Sequence, residues 1–275
     1  MIYWLIAVII VGLTVYKFFL SAKKGKPEIL KKDWKKDVVY LYQFPRAKVL
    51  PNLSPFCLKI ETFLKANKVP YEVSPVLISR SQYGKLPFVE LNGEHIADSQ
   101  VIINRLTKHF NLKQLSNPRD HAIARAVERM TEIHTFMVQY YFKIVDDANS
   151  LAEIGCRDAN FPEWLIPVIV PIMGFFIKRK ALQRIVSGVG GMSTENYKEV
   201  LKKDYDVYQA LLGKQNYLFG DEIAAIDCSV FGQLATVLYL PYSCYAKDLL
   251  KEEYPALVDY CDRIKETVFG DYKPE

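Results

Sequence analysis

The chain has 275 residues, half of them hydrophobic, and a formal net charge of +5 at neutral pH. This length accommodates one large or two small folded domains. Seven lysines lie between residues 23 and 36, so the chain from Asp37 onward is nearly neutral. A near-neutral body with dispersed basic residues lacks the charge pattern of a nucleic-acid-binding protein, and we expect no nucleic-acid partner.

Residues 1–20 are almost entirely apolar and predict a transmembrane anchor. Residues 1–16 carry no charged side chain, and more apolar residues follow Lys17. A helix of about twenty residues is roughly 30 Å long, which matches the hydrocarbon core of a bilayer. Residues 21–37 are predicted as a basic linker. Its lysines favour an orientation with the body in the cytoplasm and contact with anionic lipid head groups. The alternative is that the linker is solvated and has no partner. A cleaved signal peptide is the alternative for the apolar run, although no basic residue precedes it.

The five cysteines and four histidines are scattered along the chain. The cysteine count is odd and no C-x-x-C pair occurs, which is typical of a reducing compartment rather than of a disulfide framework. The spacing matches no zinc or soft-metal ligand set, so we expect no metal site. His134 falls near an apolar helical stripe, and we expect it to be a hydrogen-bonded core residue.

Residues 38–112 predict an α/β unit. Residues 38–44 are β-branched and aromatic, as in a strand. Ser54 and Pro55 predict the start of a helix, because serine is a favoured N-cap and proline is tolerated at the first helical position. An edge strand is predicted at residues 71–77. A hairpin around Asn92-Gly93 is predicted at residues 86–97, and a helix at residues 99–110.

Residues 113–275 predict an all-helical domain. A long amphipathic helix begins at Asn117-Pro118. Residues 164–177 carry no charged side chain but contain Pro167 and Pro171, so they are too short and too interrupted to span a membrane readily. We expect a buried or interface-lying helix there, with a re-entrant membrane contact as the alternative. Later helices are predicted at residues 195–212, 226–239 and 254–267.

Several motifs, in this order, resemble the glutathione S-transferase architecture, in which a thioredoxin-like domain precedes an all-helical domain. They are the start of the Ser54 helix, the string G-K-L-P-F-V from Gly84, the string A-D-S from Ala97, and residues 220–232. The last motif has Ala224 where that family usually has serine or threonine, so its capping box is incomplete.

A narrower resemblance rests on the strings S-P-F-C-L-K-I-E-T-F-L from Ser54 and A-D-S-Q from Ala97. They resemble the failed axon connections family, which includes metaxin-related proteins and the cadmium-responsive membrane proteins of nematodes. The resemblance implies a membrane-tethered, transferase-like protein linked to stress or heavy-metal tolerance, or to neuronal development. It also implies that Pro87 is cis and abuts the ligand, and that an active-site residue lies at the start of the Ser54 helix.

The ligand implied by this resemblance is glutathione, a tripeptide thiol. Its extended backbone needs a strand-like partner, which we expect at Phe88, after Pro87. Its α-carboxylate needs a partner with positive charge. The helix start at Asp98 and Ser99 supplies this charge through free N–H groups and the helix dipole.

The sulfur of glutathione needs a hydroxyl or thiol nearby, because a donor there favours the thiolate. Ser54 and Cys57 are the candidate catalytic residues, and Arg46 or Lys48 is the candidate for the glycyl carboxylate. Serine at the first position of the helix disfavours a dithiol oxidoreductase. The alternative roles are structural, with Ser54 as a helix cap and Cys57 as a small buried side chain.

Two functions remain open. The first is a membrane-anchored glutathione S-transferase-like protein in stress or cadmium detoxification. The second is a non-catalytic, metaxin-like adaptor that binds a protein partner or a second copy of itself. In both cases we expect the body on the cytoplasmic side of a membrane. The resemblance implies that this membrane belongs to the lysosome or another endomembrane compartment.

Overall fold

The computed structural model describes residues 28–76, 80–158 and 161–272. The predicted anchor at residues 1–20 and the first part of the predicted linker lie outside the described residues. Within the described part, no helix is both long enough and apolar enough to cross a bilayer. The predicted order of an α/β unit followed by a helical domain is confirmed.

A four-stranded mixed sheet forms the centre of the α/β unit. The strand order is β2-β1-β3-β4, with β2 parallel to β1 and the other pairs antiparallel. The edge position of β2 agrees with its Pro75, and Asn92 and Gly93 form the hairpin turn with φ of 51° and 78°. The strands are β1 (Val39–Gln43), β2 (Tyr71–Pro75), β3 (Phe88–Leu91) and β4 (Glu94–Ala97).

Two helices cover one face of this sheet. Helix α1 (Pro55–Ala66) follows the N-cap Ser54, and helix α2 (Ser99–His109) follows the N-cap Asp98. Their apolar faces pack on alternate residues of the strands, as expected for a sheet covered by amphipathic helices. The shared core includes Val39, Leu41, Ile60, Phe63, Val89, Ile96, Ile102 and Leu106.

The described residues after Asn117 are mainly helical. Two π-helical stretches, Met130–Thr135 and Tyr141–Val145, flank a short α-helix. The predicted helices after residue 117 are present, and two further helices, Ala148–Asp158 and Tyr245–Glu253, were not predicted from the sequence. The helices are α3 (Pro118–Arg129), α4 (Phe136–Tyr140), α5 (Ala148–Asp158), α6 (Ile166–Val189), α7 (Thr194–Leu212), α8 (Ala225–Leu238), α9 (Tyr245–Glu253) and α10 (Pro255–Phe269).

Helix α8 packs directly against α1. A Cβ atom at Gly232 would lie 2.6 Å from the carbonyl oxygen of Pro55, so this close approach requires glycine. At the start of α8, the side chain of Asp227 accepts a hydrogen bond from the backbone N–H of Ala224 at 2.9 Å. Because Ala224 has no side-chain acceptor, only half of a capping box forms.

Residues 28–37 pack on the face of the sheet opposite α1 and α2. The buried carboxylate of Glu90 accepts hydrogen bonds from the backbone N–H groups of Leu30 and Lys31, at 2.7 and 2.9 Å. It also accepts one from the hydroxyl of Tyr42, at 2.9 Å. The second part of the predicted linker is therefore built into the folded domain.

Candidate functional site

Three loops that carry predicted site residues meet at one end of the sheet. The register pairs Tyr42 with Phe88 and Phe88 with Ala97. Since neighbouring strands are about 4.8 Å apart, the chain leaving β1, the peptide before β3 and the chain leaving β4 lie side by side. The chain leaving β1 leads to the Ser54 loop, the peptide before β3 contains Pro87, and the chain leaving β4 leads into Asp98.

The peptide bond between Leu86 and Pro87 is cis, as the resemblance implied. Phe88 begins β3, which lies between β1 and β4, so its backbone has no free edge for a peptide ligand. Its ring is stacked between Tyr42 and His95, with centroid distances of 4.6 and 4.7 Å. Leu86 lies outside the strand, and its backbone N–H and C=O find no backbone partner among the described residues. The geometry therefore offers Leu86, rather than Phe88, for main-chain pairing.

The start of α2 is held in an unusual conformation. Asp98 has a φ of 76°, in the left-handed region that non-glycine residues rarely adopt. Its carboxylate accepts hydrogen bonds from the backbone N–H groups of Gln100 and Val101, at 2.9 and 3.3 Å. Ser99 follows as the first residue of α2 and is buried at the positive end of the helix dipole.

Ser54 and Cys57 begin α1 at the same end of the sheet. The side chain of Asn52 donates to the carbonyl oxygen of Phe44 at 2.8 Å and accepts from the backbone N–H of Ser54 at 3.0 Å. Burial raises the pKa of Cys57 to about 12, although the neighbouring Ser54 hydroxyl and Phe44 backbone oppose this shift. The Cys57 thiol is therefore protonated at neutral pH, whereas a nucleophilic cysteine needs a lowered pKa.

The two cations predicted for the glycyl carboxylate differ in their surroundings. Nη1 of Arg46 lies 2.5 Å from Oε1 of the buried Glu61, so its charge is already matched. Lys48 is exposed on the same loop. Sequence reasoning did not single out Arg80, whose guanidinium lies 5.3 Å from the ring centroid of Phe44, beside the end of β1. Partial burial lowers the pKa of Arg80.

Lys143 is a second residue that sequence reasoning missed. It belongs to the second π-helical stretch, and its Nζ donates to the carbonyl oxygen of Leu53 at 3.2 Å, one residue before Ser54. Burial lowers its pKa to about 8. No local signal could have located this contact, because the two residues are 90 positions apart.

The metal-ligating residue types are dispersed in the structure as they are in the sequence. Within residues 28–76, 80–158 and 161–272, no three His, Cys, Asp or Glu side chains are grouped to hold a metal ion. All five cysteines are buried and unpaired. Hydroxyl groups, the backbone groups of Leu86, a helix start and basic side chains are thus the polar features collected at this end of the sheet.

Two family models match the chain. The glutathione S-transferase N-terminal domain matches residues 55–149, and the glutathione S-transferase C-terminal domain matches residues 201–264. Failed axon connections of Drosophila melanogaster is 32% identical over 260 residues, which cover 90% of this chain and 62% of that protein. The chain belongs to the failed axon connections and metaxin-like family, which has the glutathione S-transferase fold.

Other relatives of this failed axon connections family member include enzymes and metaxins. A metaxin-2 homolog of Caenorhabditis elegans is 25% identical over 194 residues, covering 66% of this chain and 80% of that protein. Isoprene-epoxide–glutathione S-transferase of Rhodococcus sp. (strain AD45) is 24% identical over 246 residues, covering 83% and 98%. The chain spans less than two thirds of the Drosophila protein, at 62% of its length.

Solved structures confirm the fold of this failed axon connections family member. The β-etherase LigF of Sphingobium sp. strain SYK-6 superposes with a TM-score of 0.55 and 16% identity, covering 85% of this chain and 99% of LigF. A glutathione S-transferase of Methylobacillus flagellatus KT with GSH bound superposes with a TM-score of 0.52 and 15% identity, covering 86% and 100%.

Proposed function

We propose that this protein is a membrane-anchored, glutathione-binding member of the family, with the glutathione site at the end of the sheet. One observation supports this proposal. A cis-proline peptide, a capped helix start and the Ser54 loop lie next to each other at the ends of adjacent strands. Each of these features offers one type of group that a tripeptide thiol needs. The bound GSH of the bacterial structural neighbour supports the choice of ligand.

In the proposed complex, each part of glutathione has its own partner. The N–H and C=O of Leu86, which have no backbone partner among the described residues, pair with the extended main chain of the tripeptide. The α-carboxylate lies at the start of α2, where the dipole and the Ser99 hydroxyl favour a negative charge. Since Arg46 is matched by Glu61, Lys48 is the predicted cation that remains for the glycyl carboxylate.

The proposed chemistry is activation of the glutathione thiol. The Ser54 hydroxyl donates a hydrogen bond to the sulfur, which stabilises the thiolate and lowers the pKa of the thiol. The thiolate then attacks an electrophilic carbon and forms a thioether, while the leaving group or opened epoxide oxygen takes the negative charge and a proton from water. Cys57, protonated beside Ser54, takes no covalent part. Removal of such electrophiles, or of heavy metals such as cadmium as glutathione adducts, is the proposed physiological role.

We further propose that residues 1–20 anchor the protein in a membrane with its body in the cytoplasm. The apolar run and the lysine-rich residues that follow it support this orientation. A lysosomal or other endomembrane location belongs to the same proposal. Carbonate extraction of membranes, compared with a chain that lacks residues 1–20, tests it directly, since only an anchored chain stays in the pellet.

Calorimetric titration of the full chain in detergent micelles with glutathione tests the site. We expect Ser99→Ala to weaken binding about fivefold or more, because one hydrogen bond to a charged group is lost. Ser54→Ala should lower the rate of conjugation of a model electrophile more than it lowers affinity. Ser187→Ala, an exposed serine on α6, is the matched control. Absence of any glutathione binding by the folded wild-type chain would refute the proposal.

A non-catalytic adaptor is the second candidate function. The ion pair of Arg46 with Glu61 favours it, because a loop cation that a glutathione site would use is committed to the protein itself. The matches to metaxin-2 proteins support it as well. Under this proposal, crosslinking in native membranes captures a protein partner or a second copy, and the titration with glutathione shows no heat.

A further inference from the structure

Helix α6 carries a row of large apolar side chains on its solvent-facing side. Trp164, in the turn before the helix, is 69% exposed, and Phe175 is 60% exposed. Val168 and Pro171 are also exposed, at spacings of three and four residues. Such spacing places all four on one side of a helix. We call this set, Trp164, Val168, Pro171 and Phe175, the exposed stripe.

The opposite side of α6 is already occupied by the protein core. Ile169 and Val170 are buried against residues of α5 such as Ala152 and Cys156. Gly174 approaches Asn149 so closely that a Cβ atom there would lie 2.0 Å from its side-chain oxygen. The helix therefore cannot rotate to bury the exposed stripe within the same chain.

Basic side chains continue the helix directly beyond the exposed stripe. Lys178 and Arg179 are exposed, and Arg179 lies one turn after Phe175. Arg157 of α5 pairs with Glu153 and Glu163. Lys178 and Arg179 form no such close ion pair in the part of the chain that the structure describes, and Lys178 interacts with Asp146 only through its charge. An apolar row that ends in two exposed cations is complementary to a surface that is apolar inside and anionic outside.

We propose that the exposed stripe lies in the interfacial layer of an anionic membrane, with Lys178 and Arg179 on the lipid phosphates. Aromatic side chains favour this layer, and lysine and arginine on an interfacial helix are drawn to anionic lipids. The helix lies on the bilayer and does not cross it, because Pro171 and the cations interrupt the apolar run.

The predicted anchor at residues 1–20 favours this contact, because it keeps the folded part close to a membrane. Only residues 21–27 separate the predicted anchor from the folded part, and an extended chain of that length reaches roughly 25 Å. This step rests on the anchor of the proposed function and not on its glutathione site. A body held within that distance meets the same bilayer at high effective concentration.

A fluorescent probe on the full-length chain tests the contact. Because all five native cysteines are buried, the dye NBD-maleimide reaches an introduced cysteine selectively. Phe175→Cys places the probe on the exposed stripe, and Val207→Cys places it on α7, where the valine is also exposed. Both chains are reconstituted in phosphatidylcholine vesicles with and without phosphatidylserine. Iodide quenches the probe from water, and doxyl-labelled lipid quenches it from the membrane.

We expect lipid quenching and iodide protection at position 175 but not at position 207, with stronger protection when phosphatidylserine is present. Lys178→Glu combined with Arg179→Glu should reduce the ratio of protected to accessible probe by about fivefold for each lost cation. Free access of iodide at position 175 overturns the proposal. Protection from iodide without lipid quenching also overturns it, because a protein partner or a second copy then covers the stripe. A third probe at Ile10→Cys reports on the anchor separately, so failure of the anchor and failure of the stripe are distinguishable.

Discussion

Nζ of Lys143 donates a hydrogen bond to the carbonyl oxygen of Leu53 at 3.2 Å. This contact ties the helical domain to the loop that ends in Ser54. The carbonyl oxygen of Lys143 in turn accepts a hydrogen bond from the Tyr242 hydroxyl at 2.9 Å. The position of the Ser54 hydroxyl thus depends on a π-helical stretch in the other domain, and π-helical turns often occur at functional sites.

Lys143→Met removes the donor while keeping most of the side-chain volume. Burial lowers the pKa of Lys143 to about 8 in the folded chain, against 10.5 for a free lysine. Between these values the unfolded chain binds more protons, so Lys143 makes the wild type more stable as the pH rises. We expect the unfolding free energy of the wild type, relative to Lys143→Met, to rise by up to about 3 kcal/mol over this interval.

Urea unfolding at several pH values between about 7 and 11 measures this difference. Lys203→Met is the matched control, because Lys203 is exposed and pairs with Glu199 on the surface of α7. A constant difference between wild type and Lys143→Met at all pH values would mean that folding leaves the lysine's titration unchanged.

Local features of the fold were predictable from the sequence because their causes are local. The Asn92-Gly93 turn needs two positive φ angles, which these residues tolerate best. Ser54 begins a helix because Pro55 fits the first helical position. The pair Asp98-Ser99 likewise caps the next helix within three residues of sequence.

Features that join distant parts of the chain were not predictable in this way. The choice between Leu86 and Phe88 depends on the strand order, which places β3 between two neighbours. The pairing of Arg46 with Glu61 and the contact of Lys143 with Leu53 depend on how helices pack. No periodicity or spacing in a single sequence reports such contacts.

Asp227→Ala should destabilise the fold strongly. The Asp227 carboxylate is buried and accepts hydrogen bonds from the N–H groups of Leu218 and Ala224 and from the Tyr260 hydroxyl. Its removal leaves the N–H groups of Leu218 and Ala224 without this acceptor, whereas the Tyr260 hydroxyl keeps the backbone carbonyl oxygen of residue 227 at 3.4 Å. The loss costs at least about 2 kcal/mol. Asp259→Ala, at an exposed position of α10, is the control and should change stability little.

The loss at Asp227 should also depend on pH. Burial raises the pKa of Asp227 to about 6, above the ordinary 3.8, so the folded chain binds more protons between these values. The contribution of this group is then fully present below pH 3.8 and falls as the pH rises through about 6. Chemical unfolding should show the difference between wild type and Asp227→Ala shrinking across this interval, and a growing difference would contradict the assignment.

His134→Gln tests the polar cluster of the helical domain. Nδ1 of His134 lies 2.8 Å from Oδ2 of Asp204, which also accepts a hydrogen bond from Thr135. The hydrogen bond to Asp204 raises the pKa of His134, so this stabilisation is complete below about 6.5 and is lost as the pH rises through the folded value. The Tm of wild type should exceed that of His134→Gln by more at about pH 5.5 than at about pH 8.

His121→Gln is the control for this comparison, because His121 is exposed near the start of α3. Equal Tm differences at both pH values would show that His134 does not gain its proton more readily in the folded chain.

Glu90→Gln should release residues 28–37 from the sheet. The Glu90 carboxylate accepts three hydrogen bonds, from the N–H groups of Leu30 and Lys31 and from the Tyr42 hydroxyl. A glutamine keeps one oxygen and turns an NH₂ group toward donors, so at least one buried donor loses its acceptor, at a cost of about 1–3 kcal/mol. We expect faster hydrogen exchange at the Leu30 and Lys31 amides and faster tryptic cleavage after the lysines of this segment.

Glu94→Gln provides the comparison, since Glu94 is exposed and pairs with Arg105 in solvent. It should leave both exchange and cleavage close to wild type, because exposed ion pairs contribute little to stability. If Glu90→Gln and Glu94→Gln are cleaved at the same rate, the segment is held by other contacts, such as the N–H of Asp37 on the side chain of Asn92. If only Glu90→Gln is cleaved faster, the buried carboxylate determines how close the folded body stays to the predicted anchor.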